Sequence, residues 1–475
     1  MKRSFVALIA FLSAMLMIFT SCGTGDLTGD GKSTDSDSGS LPADENTTAP
    51  ETPKVYVSDY AVVRSMKASG IVKQATAELC NSLNASYGGY AGVTDDWLDK
   101  GVDPDKGEIH EKREILIGET NRGESQVSRL SLEPSEYVIF NAEAKIVLLG
   151  GSDKALYTAC KVFITLLKQD SEGKFTVEIP GGYLKGKDDK IKPYLILAAD
   201  QKMSQVAVYD VSISTDISSA NALKVFSFSE YNIADTRLRE YEGKTVLLAA
   251  YGFSSARIID YETGDDIFST NQTAQNPHAA EIMPCGVLAV AASTGAQVRF
   301  FNIKSGNSEM TAIDFPDSHG LLYDPQNDVL WAIGKNQLKA YTVSLGNDGA
   351  PVATEVPELA ATIPTSGAHD LQPVYGDTDR LWISTSSAVY QYSKSQKKFF
   401  TDYAGNSDIN KKSIKAVGNF DDGSVLTISP DKAFRDWTSA SASLYVRFGD
   451  TFGAVKLKST DGGFYKVRVA NKNYQ

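Results

Sequence analysis

The chain has 475 residues, with 59 acidic and 47 basic side chains and a formal net charge of −12. This acidic balance argues against a general nucleic-acid partner, which would need a basic face. The length allows for about two domains with sizeable cores. The four cysteines lie far apart and lack metal-ligand spacing, so no cysteine-based zinc site is expected.

Residues 1–22 are predicted to be a secretory signal. Lys2 and Arg3 precede an apolar run that ends at Ser21 and Cys22, which is the order of features in an export signal. The ending FTSCG resembles a bacterial lipobox, in which the cysteine is lipidated, although Phe19 stands where leucine is usual. We therefore expect an extracytoplasmic protein anchored to the bacterial cell membrane by lipidated Cys22. An uncleaved transmembrane anchor is the alternative.

Residues 23–53 are mostly small and polar and are predicted to form a disordered linker. Such a segment cannot bury enough apolar surface to offset its chain entropy.

Residues 54–190 are predicted to form an α+β domain, because strand-like runs alternate with two helical patterns. Ser152 is a suitable N-cap for the second helix. Cys80 and Cys160 fall in these two helical patterns, which favours buried thiols over a disulfide. The first helix is indicated by apolar residues at helical spacing, namely Ile71, Ala75, Leu79 and Leu83.

Two segments of this region carry a family resemblance. EILIGETNR (Glu114–Arg122) and IVLLGGSDKALYTA (Ile146–Ala159) resemble the accessory domain that precedes the catalytic barrels of hexosaminidases and α-glucuronidases. That domain supplies no catalytic residue, and no barrel follows it in this chain. The resemblance implies a carbohydrate-related context only.

Residues 191–475 are predicted to form an all-β, six-bladed β-propeller. Strand-like runs begin near residues 193, 245, 286, 328, 380 and 424, and such a repeat of strand units is typical of propeller blades. The C-terminal FYKVRVAN is expected to complete an early blade and so close the ring. Two β-sandwiches are the alternative. The segment PHAAEIMPCGVLAVAASTGAQVRFFNI (Pro277–Ile303) resembles a bacterial family of secreted propellers of unknown function.

Three of the four histidines occupy matching places in this repeat. His278 lies 10 residues before Leu288, His319 lies 11 before Leu330, and His369 lies 12 before Leu381. The same offset selects Arg237 before Leu247 and Lys415 before Leu426. Because equivalent positions of a propeller surround one axis, these five side chains are expected to ring one mouth.

This ring suggests two kinds of ligand. In one, His278, His319 and His369 bind a divalent metal such as Mn²⁺ or Zn²⁺. The site type then resembles that of propeller oligogalacturonate lyases, where the metal binds a uronate carboxylate. Arg237 or Lys415 would act as the base or hold a second carboxylate. Residues considered for completing the metal shell are Glu281, Asp370 and Gln372.

In the other, the ring holds an anionic glycan by charge and hydrogen bonds, without chemistry. Tyr251, Tyr323 or Trp331 would then serve as stacking surfaces. A purely structural role is also open, in which each histidine bonds a neighbouring backbone carbonyl.

The expected function is therefore recognition of an anionic extracellular polysaccharide at the cell surface. Degradation of that polysaccharide, by a metal-assisted lyase or a glycan hydrolase, is left open. The alternative is a non-catalytic scaffold propeller that docks a protein partner. No GxSxG elbow, P-loop or Rossmann fingerprint is present.

Overall fold

The computed structural model describes residues 55–87, 92–126, 132–172, 174–229, 231–306 and 310–475. The predicted signal peptide, Cys22 and the linker at 23–53 lie outside these residues. Across the described ranges, no helix has the length and apolar character needed to cross a membrane.

Residues 55–187 contain a mixed sheet of six strands in the order β3-β2-β4-β6-β5-β9, and a small sheet in the order β1-β8-β7. Helices α1 and α4 contact each other and pack on the mixed sheet. The strands are β1 Val55–Tyr56, β2 Ala61–Arg64, β3 Val93–Asp95, β4 Glu114–Ile117, β5 Glu136–Ala142, β6 Lys145–Gly150, β7 Leu167–Gln169, β8 Phe175–Val177 and β9 Tyr183–Lys187. The helices are α1 Gly70–Tyr87, α2 Gly107–Glu111, α3 Gly123–Gln126 and α4 Asp153–Leu166.

The two long helices begin and pack as their sequences predict. The Ser69 hydroxyl accepts a bond from the Val72 amide at 3.3 Å, and Ser152 caps α4 as expected. Cys80 and Cys160 are both buried, as their places in the helical patterns predict. The predicted apolar face of α1 is buried at Ile71, Ala75, Leu79 and Leu83.

From residue 195 onward the fold consists of six antiparallel sheets of four strands, one of which pairs with an additional short strand. In chain order they are sheet 1 (β12-β11-β10-β34), sheet 2 (β13–β16), sheet 3 (β17–β20), sheet 4 (β21–β24 with β25), sheet 5 (β26–β29) and sheet 6 (β30–β33). A short helix, α5 (Asn406–Ile409), precedes sheet 6.

The strand bounds are β10 Leu195–Asp200, β11 Gln205–Asp210, β12 Lys224–Ser227, β13 Asp235–Tyr241, β14 Lys244–Tyr251, β15 Ser255–Asp260, β16 Asp266–Thr270, β17 Pro277–Met283, β18 Val287–Ala292, β19 Gln297–Asn302, β20 Met310–Asp314, β21 Ser318–Asp324, β22 Val329–Gly334, β23 Gln337–Leu345, β24 Pro351–Glu355, β25 Ala361–Thr362, β26 Ala368–Val374, β27 Asp377–Thr385, β28 Val389–Ser393, β29 Lys398–Phe400, β30 Ala416–Asn419, β31 Val425–Ile428, β32 Ser441–Phe448, β33 Thr451–Lys458 and β34 Phe464–Val469.

The sheets stand in a propeller-like arrangement. Six inner strands contact one another in a closed series, β34, β13, β17, β21, β26, β30 and back to β34. The predicted pairing of FYKVRVAN with an early strand is confirmed, because β34 pairs with β10. In β14, the second strand of sheet 2, alternate residues pack against the two neighbouring sheets. Val246 and Leu248 of β14 pack toward sheet 3, whereas Leu247 packs toward sheet 1.

The closing strand β34 carries two buried cations into the axis. Arg468 donates to Asp235 of β13 and to Asp370 of β26, which lie on different sheets. Lys466 Nζ lies 3.5 Å from Asp370 and 3.9 Å from Asp235. All four side chains are almost fully buried. The last strand is therefore held by ion pairs as well as by its backbone ladder.

The two parts of the described chain lie in one compact unit, Thr52–Gln475. Lys154 of α4 forms an ion pair with Asp422, and the Tyr157 ring meets Phe448 edge-on at 4.5 Å. The mixed sheet ends with β9 and the four-stranded antiparallel sheets begin with β10, next to the predicted boundary at residues 190 and 191. That boundary remains a prediction.

We expect Arg468→Met to lower the free energy of unfolding by about 3–5 kcal/mol, because it leaves buried carboxylates with fewer partners. Lys472→Met is the matched control, since Lys472 forms an exposed pair with Glu240. That substitution should cost at most about 1 kcal/mol. Denaturant unfolding of both variants checks this, and equal losses would contradict the role given to the axial pairs.

Candidate functional site

A β-bulge recurs at the start of the inner strands. The pairing register shifts across His278 in β17, across His319 in β21 and across His369 in β26. Each of these histidines is therefore the extra residue of a bulge, which turns its side chain out of the normal alternation. Repetition of one local geometry explains why residues distant in sequence reach one place.

A left-handed residue precedes each bulge by two positions. The φ angle is 61° at Asn276, 56° at Asp317 and 76° at Gly367. Asn and Asp tolerate this conformation better than most side chains, and glycine adopts it freely. The same marker precedes two of the other three inner strands, β13 and β30, at Asn232 (φ 66°) and Ser413 (φ 60°).

These markers identify the equivalent residues of the other sheets. They are Ala234 before β13 and Lys415 before β30. On β34 the corresponding bulge residue is Tyr465, because the register shifts between Phe464 and Lys466. The ring at this level therefore consists of His278, His319, His369, Lys415, Tyr465 and Ala234.

The three histidines lie side by side. The ring centres of His278 and His319 are 4.4 Å apart, and those of His319 and His369 are 5.4 Å apart. Lys415 Nζ lies 3.0 Å from Nε2 of His369, and the Tyr465 ring lies 5.6 Å from that of His278. We call these five side chains the axial mouth.

Hydrogen bonds to backbone carbonyls orient two of the imidazoles. Nδ1 of His278 lies 2.8 Å from the Asn276 carbonyl, and Nδ1 of His319 lies 2.8 Å from the Asp317 carbonyl. Both contacts hold the left-handed turn against the bulge. His369 is set differently, because its buried Nδ1 has no hydrogen-bond partner among the described residues. The contact with a backbone carbonyl that was anticipated for each histidine is thus present in two of the three.

Burial and neighbouring charges lower the pKa values of three groups in the mouth. Burial, followed by the effect of His319, lowers the pKa of His278 well below its ordinary value. Burial and the Lys415 charge lower the pKa of His369 to about 3. Burial and the Lys466 charge lower the pKa of Lys415 to about 8. At neutral pH both imidazoles are therefore uncharged, while Lys415 still carries a proton.

Lys466 lies directly beneath the axial mouth. It donates to the backbone carbonyl of His278 at 3.2 Å and lies 3.5 Å from that of His319. Lys415, by contrast, forms no ion pair within 4 Å in the described part of the chain; its contact is with His369, and the Asp317 carboxylate acts on its pKa from farther away. The mouth therefore presents one ammonium group without a carboxylate partner and a second just below it.

The sequence offset was wrong for Arg237. Leu247 pairs with Leu238, four residues after Ala234, just as Leu288 pairs with Ile282, four after His278. Nine positions separate Leu238 from Leu247, but only six separate Ile282 from Leu288. Because the β13–β14 hairpin is longer, counting ten residues back from Leu247 reaches Arg237, three residues further along β13 than Ala234 and closer to the middle of the axis. Arg237 is buried there and donates to Glu281 at 2.5 Å.

The carboxylates and amide expected near the histidines have other partners. Glu281 accepts two bonds from Arg239 at 2.8 Å in addition to that from Arg237. Burial opposes its ionisation, but the two arginines outweigh burial and lower its pKa. Asp370 accepts bonds from Arg468 and from the Val417 amide, and Gln372 donates to a backbone carbonyl. None of the three completes a shell around the imidazoles.

The residues of the mouth do not fit a three-histidine metal site. No group of three or more histidine, cysteine, aspartate or glutamate side chains in the described ranges is placed to hold a metal ion. The Lys415 ammonium also lies beside Nε2 of His369, where it would repel a divalent cation. The Nδ1 contacts of His278 and His319 are of the kind that orient metal-bound imidazoles, but the third imidazole, His369, has the Lys415 ammonium 3.0 Å from its Nε2.

The aromatic residues proposed as stacking surfaces are buried. Trp331 is fully buried, and its indole N–H donates to Asp324 at 3.1 Å. Tyr323 and Tyr251 are 8% and 9% exposed. They are core residues of sheets 2 and 4.

The opposite end of the axis is covered by the segment that follows β34. The Asn473 carbonyl accepts bonds from Arg239 at 3.2 Å and from Tyr375 at 3.1 Å. Tyr474 donates to the Ile282 carbonyl at 2.8 Å, and its ring lies under the Arg239 guanidinium. A ligand can therefore approach the axis through the axial mouth, not through this end.

We expect the free energy of unfolding to fall as the pH drops from about 6.5 toward about 3. The unfolded chain then takes up protons that folded His369 does not, since its folded pKa is the lower one. The slope should be up to about 1.4 kcal/mol per pH unit for one histidine. Denaturant unfolding at about pH 7 and about pH 5 measures it. An unchanged slope in His369→Asn would contradict this assignment.

We expect the purified protein to hold no stoichiometric divalent metal after exposure to Mn²⁺ or Zn²⁺, because Lys415 is adjacent to His369. Elemental analysis checks this beside a His278→Ala/His319→Ala variant. One equivalent of metal in the parent that is lost in the variant would refute the conclusion drawn from the geometry.

The chain is similar to a family of unknown function and to solved structures. Residues 231–443 match the model described as "Family of unknown function (DUF6528)", which covers the three histidines and Lys415. The chain is also similar to one in the structure titled "Crystal Structure of Mitotic Checkpoint Complex", with 12% identity, 54% of this chain and 78% of that chain covered, and a TM-score of 0.35. No curated protein matches the chain. Neither match is to a glycoside hydrolase.

Proposed function

We propose that this chain binds a carboxylate of an anionic extracellular polysaccharide at the axial mouth. The observation that carries the proposal is Lys415, an ammonium group that lies against a neutral imidazole and has no carboxylate within 4 Å among the described residues. A partly buried cation of this kind gains most from an anion that enters its site.

The surrounding charges favour the same kind of ligand. Among the described residues, five cations reach the axis and face three buried carboxylates (Asp235, Glu281 and Asp370), while the partly exposed Asp317 carboxylate lies at the mouth beside His319. The cations are Arg237, Arg239, Lys415, Lys466 and Arg468. This local excess stands within a chain of net charge −12. A concave, cationic site of this sort concentrates anions from solution.

The wider setting of the proposal comes from the sequence. We propose that each of the six sheets is one propeller blade, that residues 54–190 form a glycosidase-type accessory domain, and that lipidated Cys22 anchors the protein outside the cytoplasm. In that setting a polysaccharide is the most accessible anion. Binding is proposed without cleavage, since His278 and His369 are held neutral and the Asp317 carboxylate lies 3.2 Å from Nδ1 of His319.

A second candidate is a scaffold propeller with structural histidines that docks a protein. It is favoured by the contacts of His278 and His319 with backbone carbonyls. It leaves the Lys415 ammonium and the unpartnered Nδ1 of His369 without a role, so we place it second.

We expect glucuronate or galacturonate oligomers to bind the parent protein and Lys415→Met to weaken that binding at least about tenfold, through loss of a charge-assisted hydrogen bond. Isothermal titration calorimetry measures both. Lys304→Met is the matched control, because it removes one exposed ammonium that is paired with Glu242. Equal weakening in both variants would mean that the effect comes from the change in net charge and not from a contact with Lys415.

Binding should also be linked to a proton. A bound carboxylate raises the pKa of Lys415 from about 8, so near that pH the complex takes up part of a proton, and affinity falls as the pH rises further. Titrations in two buffers of different ionisation enthalpy report this uptake. Absence of binding to every uronate oligomer would leave the scaffold as the better candidate.

A further inference from the structure

The exposed aromatic residues of the all-β part lie at one end of it. Among the described residues from 193 onward, four aromatic side chains are more than about a third exposed: Tyr231, Phe253, Phe434 and Trp437. All four are in loops that connect strands at the end where the histidine bulges begin. The end covered by the 471–475 segment presents none in the described ranges.

Two of these residues line a pocket of about 570 Å³. Tyr231 and Phe253 are each 65% exposed. The remaining lining residues that the structure describes are polar but uncharged, or glycine: Ser229, Asn232, Gly252, Gln275, Asn276 and Thr294. Aromatic faces together with hydroxyl and amide groups suit a sugar ring, whose C–H face is apolar and whose edge carries hydroxyls.

The pocket adjoins the axial mouth through Asn276. Asn276 lines the pocket, and its backbone carbonyl is the partner of Nδ1 of His278 at 2.8 Å. Its side-chain amide donates to Ser293 at 3.0 Å and to Thr294 at 3.2 Å. The Ser293 hydroxyl lies 3.3 Å from Nδ1 of His278. Asn276 and the Ser293 hydroxyl thus connect the pocket to the imidazole of His278.

The pocket wall is also held in place. Asn232 accepts a hydrogen bond from Arg435, whose guanidinium lies over the rings of Phe434 and Trp437. The Gly252 amide donates to the carbonyls of Tyr231 and Asn232. These contacts connect loops of sheets 1, 2 and 6, so the aromatic faces do not depend on a single mobile loop.

We propose that this pocket is a sugar subsite that accepts an uncharged pyranose next to the acidic residue held at the axial mouth. The proposal rests on the proposed function and extends it. It names the ligand as an oligosaccharide in which a neutral sugar adjoins a uronate. A protein partner is less suited, because the surface is a concave pocket lined by hydroxyl and amide groups, not a flat apolar patch.

The test compares glucuronate with an aldobiouronic acid, in which glucuronate is linked to a neutral sugar. In the parent protein the disaccharide should bind about tenfold more tightly than glucuronate, the gain expected from one stacked ring. A Tyr231→Ala/Phe253→Ala variant should lose that gain and keep its affinity for glucuronate. Trp97→Ala, which removes an exposed aromatic elsewhere, should behave as the parent.

Each other outcome is decisive. If glucuronate binds but the disaccharide binds no more tightly, or if the gain survives in the double variant, the subsite is refuted and the proposed function stands. If neither glucuronate nor any uronate oligomer binds the parent, the proposed function fails. A neutral disaccharide then decides the subsite: saturation-transfer NMR contacts that vanish in the double variant support it, and their absence in the parent overturns it.

Discussion

The buried ion pairs between the closing strand and the sheets it meets are the constraint on which the rest of the all-β part depends. Lys466 and Arg468 on β34 lie opposite Asp235 and Asp370, which belong to sheets 2 and 5. Buried charges of this kind contribute little net stability, yet they are costly when left unpaired. They therefore favour one pairing of β34 over a slipped one. That same pairing brings Tyr465 and Lys466 to the histidines.

The axial mouth follows from a backbone irregularity that is repeated around the axis. A left-handed residue and a bulge at the start of β17, β21 and β26 turn three imidazoles toward one another. Regular strands would have directed those side chains along the usual alternation. Because neighbouring imidazoles and Lys415 share a desolvated space, the pKa values of His278 and His369 are low and that of Lys415 is depressed. The outcome is a site with neutral hydrogen-bonding groups and an ammonium that lacks a carboxylate.

The two ends of the axis differ in chemistry for a related reason. At one end the segment after β34 occupies the Arg239 and Tyr375 groups with its own backbone. At the other, the bulges force the connecting loops to carry Asn, Asp and Gly, which leaves polar, concave surfaces beside exposed aromatic rings. The proposed binding site therefore lies at one end of the axis. The proposed sugar subsite adjoins the mouth there through Asn276.

Much of the fold was predictable from local patterns, since alternation, helical spacing and capping depend on neighbours in sequence. The helix after Ser152, the strand repeats and the pairing of the C-terminal strand were predicted correctly, and so was the proximity of His278, His319 and His369. By itself, the sequence determined the strands, their repeat and the histidines within it. Tertiary structure alone decided that Ala234 instead of Arg237 joins the ring, that Glu281 and Asp370 pair with arginines, and that Trp331 is buried. The physical reason is that hairpin length and ion pairing across the axis depend on residues far apart in the chain.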